Sequence, residues 1–199
     1  MLTIFHMPRS RSQRIVWLAE EMGLPYELKL EQFGQPSPDF LAANPTGAFP
    51  AISDDGVNMG ESTALMQYLM DMHGPTPLAL KPGDRRYADY LQFLTFGEAS
   101  LAAYINPIIA TQFMAPDDQK QNFTVEACKT MFRGRLKAVE RQLEKGDYVA
   151  GDFTAADISV GYALGLGEFI GLAGDYSPKV RDYYARLQAR PAYQRAAAK

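Results

Sequence analysis

Two rhythms of apolar positions run along the chain. Up to about residue 74, short apolar runs alternate with helix-length segments. From residue 84 onward every apolar stripe repeats at helical spacing. Leu2 to Met7 predicts a first strand, and Pro8-Arg9-Ser10-Arg11-Ser12 a polar turn. Ile15, Leu18, Ala19 and Met22 then recur on one helical face, which Gly23 and Pro25 end. Tyr26 to Leu30 predicts a second strand, and two strands bridged by a helix imply a parallel pair with a right-handed crossover. Ser37-Pro38 caps a short helix through Ala43, with Pro at the first helical position. Strands near 51–53 and 57–59 flank Asp55-Gly56, a two-residue hairpin signal. A helix from Glu61 reaches His73 and stops at Gly74-Pro75.

Three prolines and two glycines between Gly74 and Gly83 mark a linker. Beyond it, Tyr87, Leu91, Leu94 and Leu101 share a helical face, and Pro107 should kink or end that helix. A long helix from about Asn122 to Lys145 carries the stripe Val125, Cys128, Phe132, Leu136, Val139 and Leu143. Thr154 to Asp157 resembles a capping box with Asp in place of Glu. Gly161 and Gly165 in the following helix imply close backbone packing, because glycine inside a helix costs about 1 kcal/mol. Ser177-Pro178 opens a helix to about Arg190, and Pro191 begins a short tail. The expected organisation is an α/β domain over residues 1–75, a linker over 76–83, and an all-α helical domain over 84–199. The order βαβ, α, ββα in the first part is that of a thioredoxin-like domain.

Composition narrows the classes. The chain has 199 residues, with 47% hydrophobic and 22% charged positions, ordinary for a globular protein. A formal charge of −3 with mixed signs argues against nucleic acid as a partner. Cys128 stands alone, which excludes an internal disulfide framework. Two histidines without paired spacing argue against a metal site. No apolar run approaches the roughly 18 residues of a membrane span, and the first residues lack the basic start of a signal peptide. The expectation is a cytoplasmic protein without a membrane partner.

The stretch Asn44-Pro45-Thr46-Gly47-Ala48-Phe49-Pro50-Ala51-Ile52 is a loop running into a strand, followed by a hairpin and Gly60-Glu61-Ser62. Pro50 stands at a strand entry, a position suited to a cis bond. The backbone of Phe49 there is available to an extended peptide, as in strand addition. Glu61-Ser62 opens a helix, and a helix N-terminus offers free N–H groups to a carboxylate. A short peptide-like ligand follows from both features.

This stretch resembles the glutathione-site region of the glutathione S-transferases, whose pattern is roughly Asn-Pro-x-Gly-x-Val-Pro, a hairpin, then Glu/Asp-Ser. Phe49 replaces the usual Val, and Ala48 a common Lys or Gln. The resemblance extends over nearly the whole chain. It implies that Phe49 and Pro50 clamp the glutathione backbone, that Glu61 meets the γ-glutamyl amine and that Ser62 meets its carboxylate. It also implies a Ser near the start of the first helix that activates the thiol. Counting back from Arg14 makes Ser10 the best match and Ser12 the runner-up; Phe5 lies where some relatives have Tyr, and no Cys is near. The chemistry is plausible in size. A free thiol has a pKa near 8.5, and bringing it about 2 pH units lower takes roughly 2.7 kcal/mol. One charge-assisted hydrogen bond plus a helix terminus can supply that. Ser10-Arg11-Ser12-Gln13 is equally a capping box, in which Ser10 would accept from the N–H of Gln13.

The implied activity is that of a dimeric transferase adding the glutathione thiolate to an apolar electrophile. Alternatives on the same fold are a glutathione-dependent isomerase or peroxidase, or a non-catalytic glutathione-binding scaffold. Tyr104, Ile105, Ile108, Phe113 and Met114 lie in the region that borders the electrophile pocket in the family. Met66, Met70 and Tyr90 are the residues expected at a homodimer interface. Gln32 and Gln35 lie near the loop that holds the glycyl end in relatives. His6 and His73 are expected in structural roles.

Overall fold

Strand β1 (Leu2–His6) is buried on both faces, and its alternation assigns those faces. Ile4 and His6 point to one side and Phe5 to the other. The computed structural model, which describes residues 1–199, shows β1 at the centre of a four-stranded mixed sheet of order β2-β1-β3-β4. β2 (Tyr26–Leu30) runs parallel to β1; β3 (Ala51–Asp54) and β4 (Val57–Gly60) complete an antiparallel meander with it. Helix α2 (Pro38–Ala43) covers the Phe5 face, where Phe5 and Phe40 lie 5.6 Å apart. The opposite face is covered by α1 (Ser12–Met22) and α3 (Ser62–Met72). α1 buries Arg14, Ile15, Val16, Trp17, Leu18 and Ala19, more than one face, because it is itself covered from outside.

That outer cover is the chain terminus. The chain divides into two units, residues 1–79 with 188–199, and residues 80–187. The sequence predicts a helical part that runs to residue 199 and ends in a plain tail. Instead Pro191–Ala197 forms helix α9, started by Pro at its first turn, and packs on α1. Tyr193 meets Trp17 edge-on at 4.9 Å, Arg190 Nε bonds Glu21 at 2.6 Å and Arg195 Nε bonds Glu20 at 2.6 Å. These aromatic and ionic partners, distant in sequence, give the tail its helix.

The second unit is all helix. α4 (Tyr87–Phe96) passes through a π turn (Gly97–Ala102) into α5 (Ala103–Met114). Pro107 is expected to kink or end this helix; it does not end it, since α5 continues through Pro107, and a π turn precedes α5. That turn lies where Gly97 meets α7: a Cβ on Gly97 would collide with the backbone of Ser159. By length and composition the stretch Tyr87–Met114 matches a membrane span, against the sequence expectation; it packs on α6 (Phe123–Gln142) and α7 (Ala155–Phe169), where Tyr90, Phe93, Leu94, Leu101, Ile105 and Ile108 are buried. α8 (Pro178–Gln188) closes the unit.

α7 is buried all round and starts at a closed polar knot. The capping box forms as expected. Thr154 N–H donates to Asp157 at 2.8 Å, Val149 N–H at 3.0 Å and the Tyr183 hydroxyl at 2.8 Å. Gln142 ties the same corner to α6 through the Val149 carbonyl at 2.8 Å. Burial pushes Asp157 up to about 6 despite these donors. Met66, Met70 and Tyr90 are 0%, 2% and 1% exposed, so they belong to the core rather than to a free interface.

Candidate functional site

Strand register gathers the predicted residues. Phe5 faces Ala51 across the antiparallel pair, Ala51 faces Gly60, and His6 lies beside Leu30. The loops after β1, after β2, before β3 and after β4 therefore open at one end of the sheet. They carry Ser10, Gln32 and Gln35, Phe49-Pro50, and Glu61. Loops at the carboxyl ends of parallel strands are the usual ligand end of an α/β sheet.

The loop before β3 is built on one side chain. Asn44 Nδ2 donates to the Ala48 carbonyl at 2.7 Å, and Asn44 Oδ1 accepts from the Thr46 hydroxyl at 2.9 Å. Gly47 supplies the left-handed corner at φ 63. Phe49 stacks on Phe40, ring centroids 4.6 Å apart, which explains why a large aromatic fits here. The Phe49–Pro50 bond is cis, as expected. The sheet ladder starts at Ala51, so the N–H and C=O of Phe49 lie outside it.

Glu61 follows β4 with φ 66 and ψ 101, well away from helical values, and its side chain is exposed. A non-glycine residue held there costs on the order of 1–3 kcal/mol, and such strain clusters at ligand clamps. Ser62 begins α3 and is 2% exposed. Its hydroxyl accepts from Arg14 Nη1 at 3.1 Å, a guanidinium that is fully buried under the helix start. The arrangement adds a fixed positive charge to the free N–H groups of the helix, and both favour an anion.

The turn after β1 separates the two serines. Arg9 takes φ 64, and Ser10 N–H bonds the Met7 carbonyl at 3.1 Å. α1 then begins at Ser12. Ser12 is 0% exposed; Ser10 is half-buried. The alternative in which Ser10 caps Gln13 is not what forms: Ser10 Oγ accepts from the N–H of Ser12 at 3.3 Å, and the helix start has no side-chain cap. Ser12 Oγ instead binds inward, 2.8 Å from His6 Nδ1 and 2.6 Å from Ser10 Oγ. Burial lowers His6 to about 4, so the ring is neutral at pH 7.

The comparisons with known proteins agree with this geometry. Residues 4–77 match the model of the glutathione S-transferase N-terminal domain. Glutathione S-transferase 3 of Schizosaccharomyces pombe is 32% identical over 179 residues, covering 79% of this chain and 70% of the relative. The chain belongs to the glutathione S-transferase family. Its thioredoxin-like unit and helical unit recur in a glutathione transferase from Methylococcus capsulatus, with 26% identity, a TM-score of 0.84, and 100% and 98% of the two chains covered. They recur also in one from Burkholderia graminis that carries two glutathione molecules per subunit, with 25% identity, a TM-score of 0.84, and coverage of 100% and 88%.

Within this transferase, sequence reasoning misses two polar residues at the site end. Arg14 serves there only to count back to Ser10. Its signal is a charged residue beside Ile15 in an apolar stripe, a position that requires a partner. His6 closes a strand and has no signal linking it to Ser12. Gln32 and Gln35 form an exposed tight turn whose backbone bond is 3.2 Å. Glu31 beside it accepts from Ser37 N–H and so holds the start of α2. His73, at the far end of α3, pairs with Asp54 at 2.7 Å.

Proposed function

We propose that this glutathione S-transferase binds glutathione across the loop end of the sheet and uses Ser10 to hold its thiolate for attack on an apolar electrophile. Phe49 offers its backbone N–H and C=O to the cysteinyl residue of glutathione. Glu61 takes the γ-glutamyl ammonium. Ser62 and the first N–H groups of α3 take the neighbouring carboxylate, backed by Arg14. The thiol proton leaves to solvent, and the Ser10 hydroxyl donates to the sulfur of the thiolate. The thiolate then gives its electron pair to an electrophilic carbon. In substitution a leaving group departs with its bonding pair; in addition the resulting carbanion is protonated from solvent.

The observation that carries this reading is the difference between the two serines: Ser10 is half-buried in the loop after β1, whereas Ser12 is fully buried with its hydroxyl engaged by His6 Nδ1 and the Met7 N–H. Ser10→Ala should raise the pKa of bound glutathione by one or two pH units. Conjugation at neutral pH should slow by the matching factor, about ten- to a hundredfold. Glutathione affinity should change little. An unaltered thiolate titration, followed by ultraviolet absorbance, would remove Ser10 from the mechanism.

The apolar co-substrate is supported by the helical unit. Phe113 and Met114 are 65% and 73% exposed, and Phe113 stacks on Phe169 at 5.9 Å. Ile105 and Ile108 are core, and Tyr104 is engaged by Arg135 at 3.2 Å. We also propose a homodimer. With Met66, Met70 and Tyr90 buried, the exposed apolar candidates on the same helices are Met72 and Leu91. Sedimentation at micromolar concentration should give twice the 22.1 kDa chain mass; a single 22.1 kDa species would reject the dimer.

A further inference from the structure

The polar chain behind Ser10 has more bonds than the packing of a helix start requires. Ser12 Oγ has four neighbours: Met7 N–H at 3.2 Å, His6 Nδ1 at 2.8 Å, Ser10 Oγ at 2.6 Å and the Met7 carbonyl at 3.3 Å. A hydroxyl has one hydrogen and two lone pairs. Met7 N–H fills one lone pair. The remaining lone pair and the single hydrogen are shared between His6 and Ser10, so the His6 tautomer decides which way the chain runs.

With the proton on Nδ1, His6 donates to Ser12 and fills its second lone pair. Ser10 then cannot donate to Ser12. The Ser12 hydrogen goes to Ser10 at 2.6 Å rather than to the carbonyl at 3.3 Å, the poorer distance. Ser10 Oγ, which already accepts from Ser12 N–H, has both lone pairs filled. Its own hydrogen is left for a ligand. With the proton on Nε2 the chain reverses: Ser12 donates to Nδ1, Ser10 donates to Ser12, and Ser10 presents only a lone pair, which repels a thiolate. The two tautomers differ in burial cost as well. His6 Nε2 is buried with no hydrogen-bond partner. An orphaned buried N–H is rarer than an under-satisfied acceptor, which favours leaving Nε2 as the unprotonated atom. Burial disfavours the doubly protonated ring too, since it would place a charge and an unbonded N–H at that atom.

We propose that His6, as the Nδ1–H tautomer, acts through Ser12 to fix the Ser10 hydroxyl as an outward donor for the glutathione sulfur. His6 and Ser12 are positioning residues: neither touches the ligand. This rests on the assignment of Ser10 to the thiol.

Two measurements test it. In the ¹⁵N-labelled parent protein, the His6 ring should show a protonated Nδ1 and an unprotonated Nε2; the Nε2–H form would overturn the inference without any substitution. The second is the thiolate titration of bound glutathione in Ser10→Ala, His6→Leu and His6→Asn. Asn keeps an N–H close to the position of Nδ1, and Leu removes it. His6→Leu should raise the pKa by about one pH unit, a tenfold loss of thiolate below the pKa. His6→Asn should restore the parental curve. Binding of S-methylglutathione, which has no thiol proton, should be the same in all of them, whereas general damage to the site would weaken it. If Ser10→Ala raises the pKa and His6→Leu titrates as the parent, the Ser10 assignment stands and the relay is wrong. If Ser10→Ala has no effect, both are wrong.

Discussion

The two units differ in where backbone strain sits and in how their best-defined buried polar groups are held. The three non-glycine residues with positive φ, Arg9, Asp55 and Glu61, all lie in the thioredoxin-like unit. Two of them are at the loop end, flanking Ser10 and Ser62. Buried polar atoms without partners, His6 Nε2 and Gln13 Nε2, lie there as well. In the helical unit the corresponding buried group, Asp157, accepts from Val149, Thr154 and Tyr183 and closes a corner of three helices. Strained or unsatisfied groups cost stability and persist where something besides stability depends on them. On the site proposed above, that dependence is glutathione binding by the thioredoxin-like unit, while the helical unit uses this polar knot to fix the packing.

The largest test removes the knot. Asp157→Ala leaves the N–H groups of Val149 and Thr154 and the Tyr183 hydroxyl without a buried acceptor. At about 1–3 kcal/mol for each unsatisfied group, partly relieved by rearrangement, the loss should be about 3–5 kcal/mol. Urea unfolding followed by circular dichroism measures it. A loss under about 1 kcal/mol would mean that the helical unit does not depend on this corner, and the contrast between the units would fail.

A second test uses acid, to which the two units respond with opposite sign. The folded-state pKa of Asp157, about 6, lies above the ordinary value near 3.9. Its contribution is fully present below about pH 4 and lost as pH rises through 6, at up to about 1.4 kcal/mol per pH unit between them. His6 is shifted the other way, to about 4. Its contribution is present above about 6.5 and lost as pH falls toward 4. Relative to Asp157→Asn, the parent should gain stability in thermal melts as pH drops from 6.5 to 4.5. A difference that stays constant over that range would contradict the buried-carboxylate account.

The sequence shows the elements better than it shows the site. Strands, hairpin and helices follow from local periodicity and from turn residues such as Asp55-Gly56 and Ser37-Pro38, which act where they stand. The Thr154–Asp157 cap is legible for the same reason. What escapes depends on partners far along the chain. Pro191 reads as the end of structure until Tyr193 meets Trp17. Met66, Met70 and Tyr90 look available until the core takes them. The choice between Ser10 and Ser12 turns on which hydroxyl the Arg9 corner leaves outside, and no residue in Pro8-Arg9-Ser10 announces a left-handed turn.

The smallest expected effect is the most direct probe of strain at the site. Glu61 sits at φ 66 and makes no side-chain cap for α3, so its side chain contributes nothing evident to the folded unit. Glycine adopts positive φ without the Cβ penalty and is tolerated at a helix N-cap. Glu61→Gly should therefore stabilise the thioredoxin-like unit by about 1 kcal/mol, the relief of strain less the extra freedom glycine gains when unfolded. The same change deletes the carboxylate proposed for the γ-glutamyl ammonium, and glutathione binding should weaken by about 1.5–3 kcal/mol, the range for hydrogen bonds to charged groups. Urea midpoints and titration calorimetry on the one variant read both numbers. Opposite signs would show that this backbone is held under strain for the ligand. A variant that loses both stability and affinity would show that Glu61 supports the fold, and that the strain at the loop end has another cause.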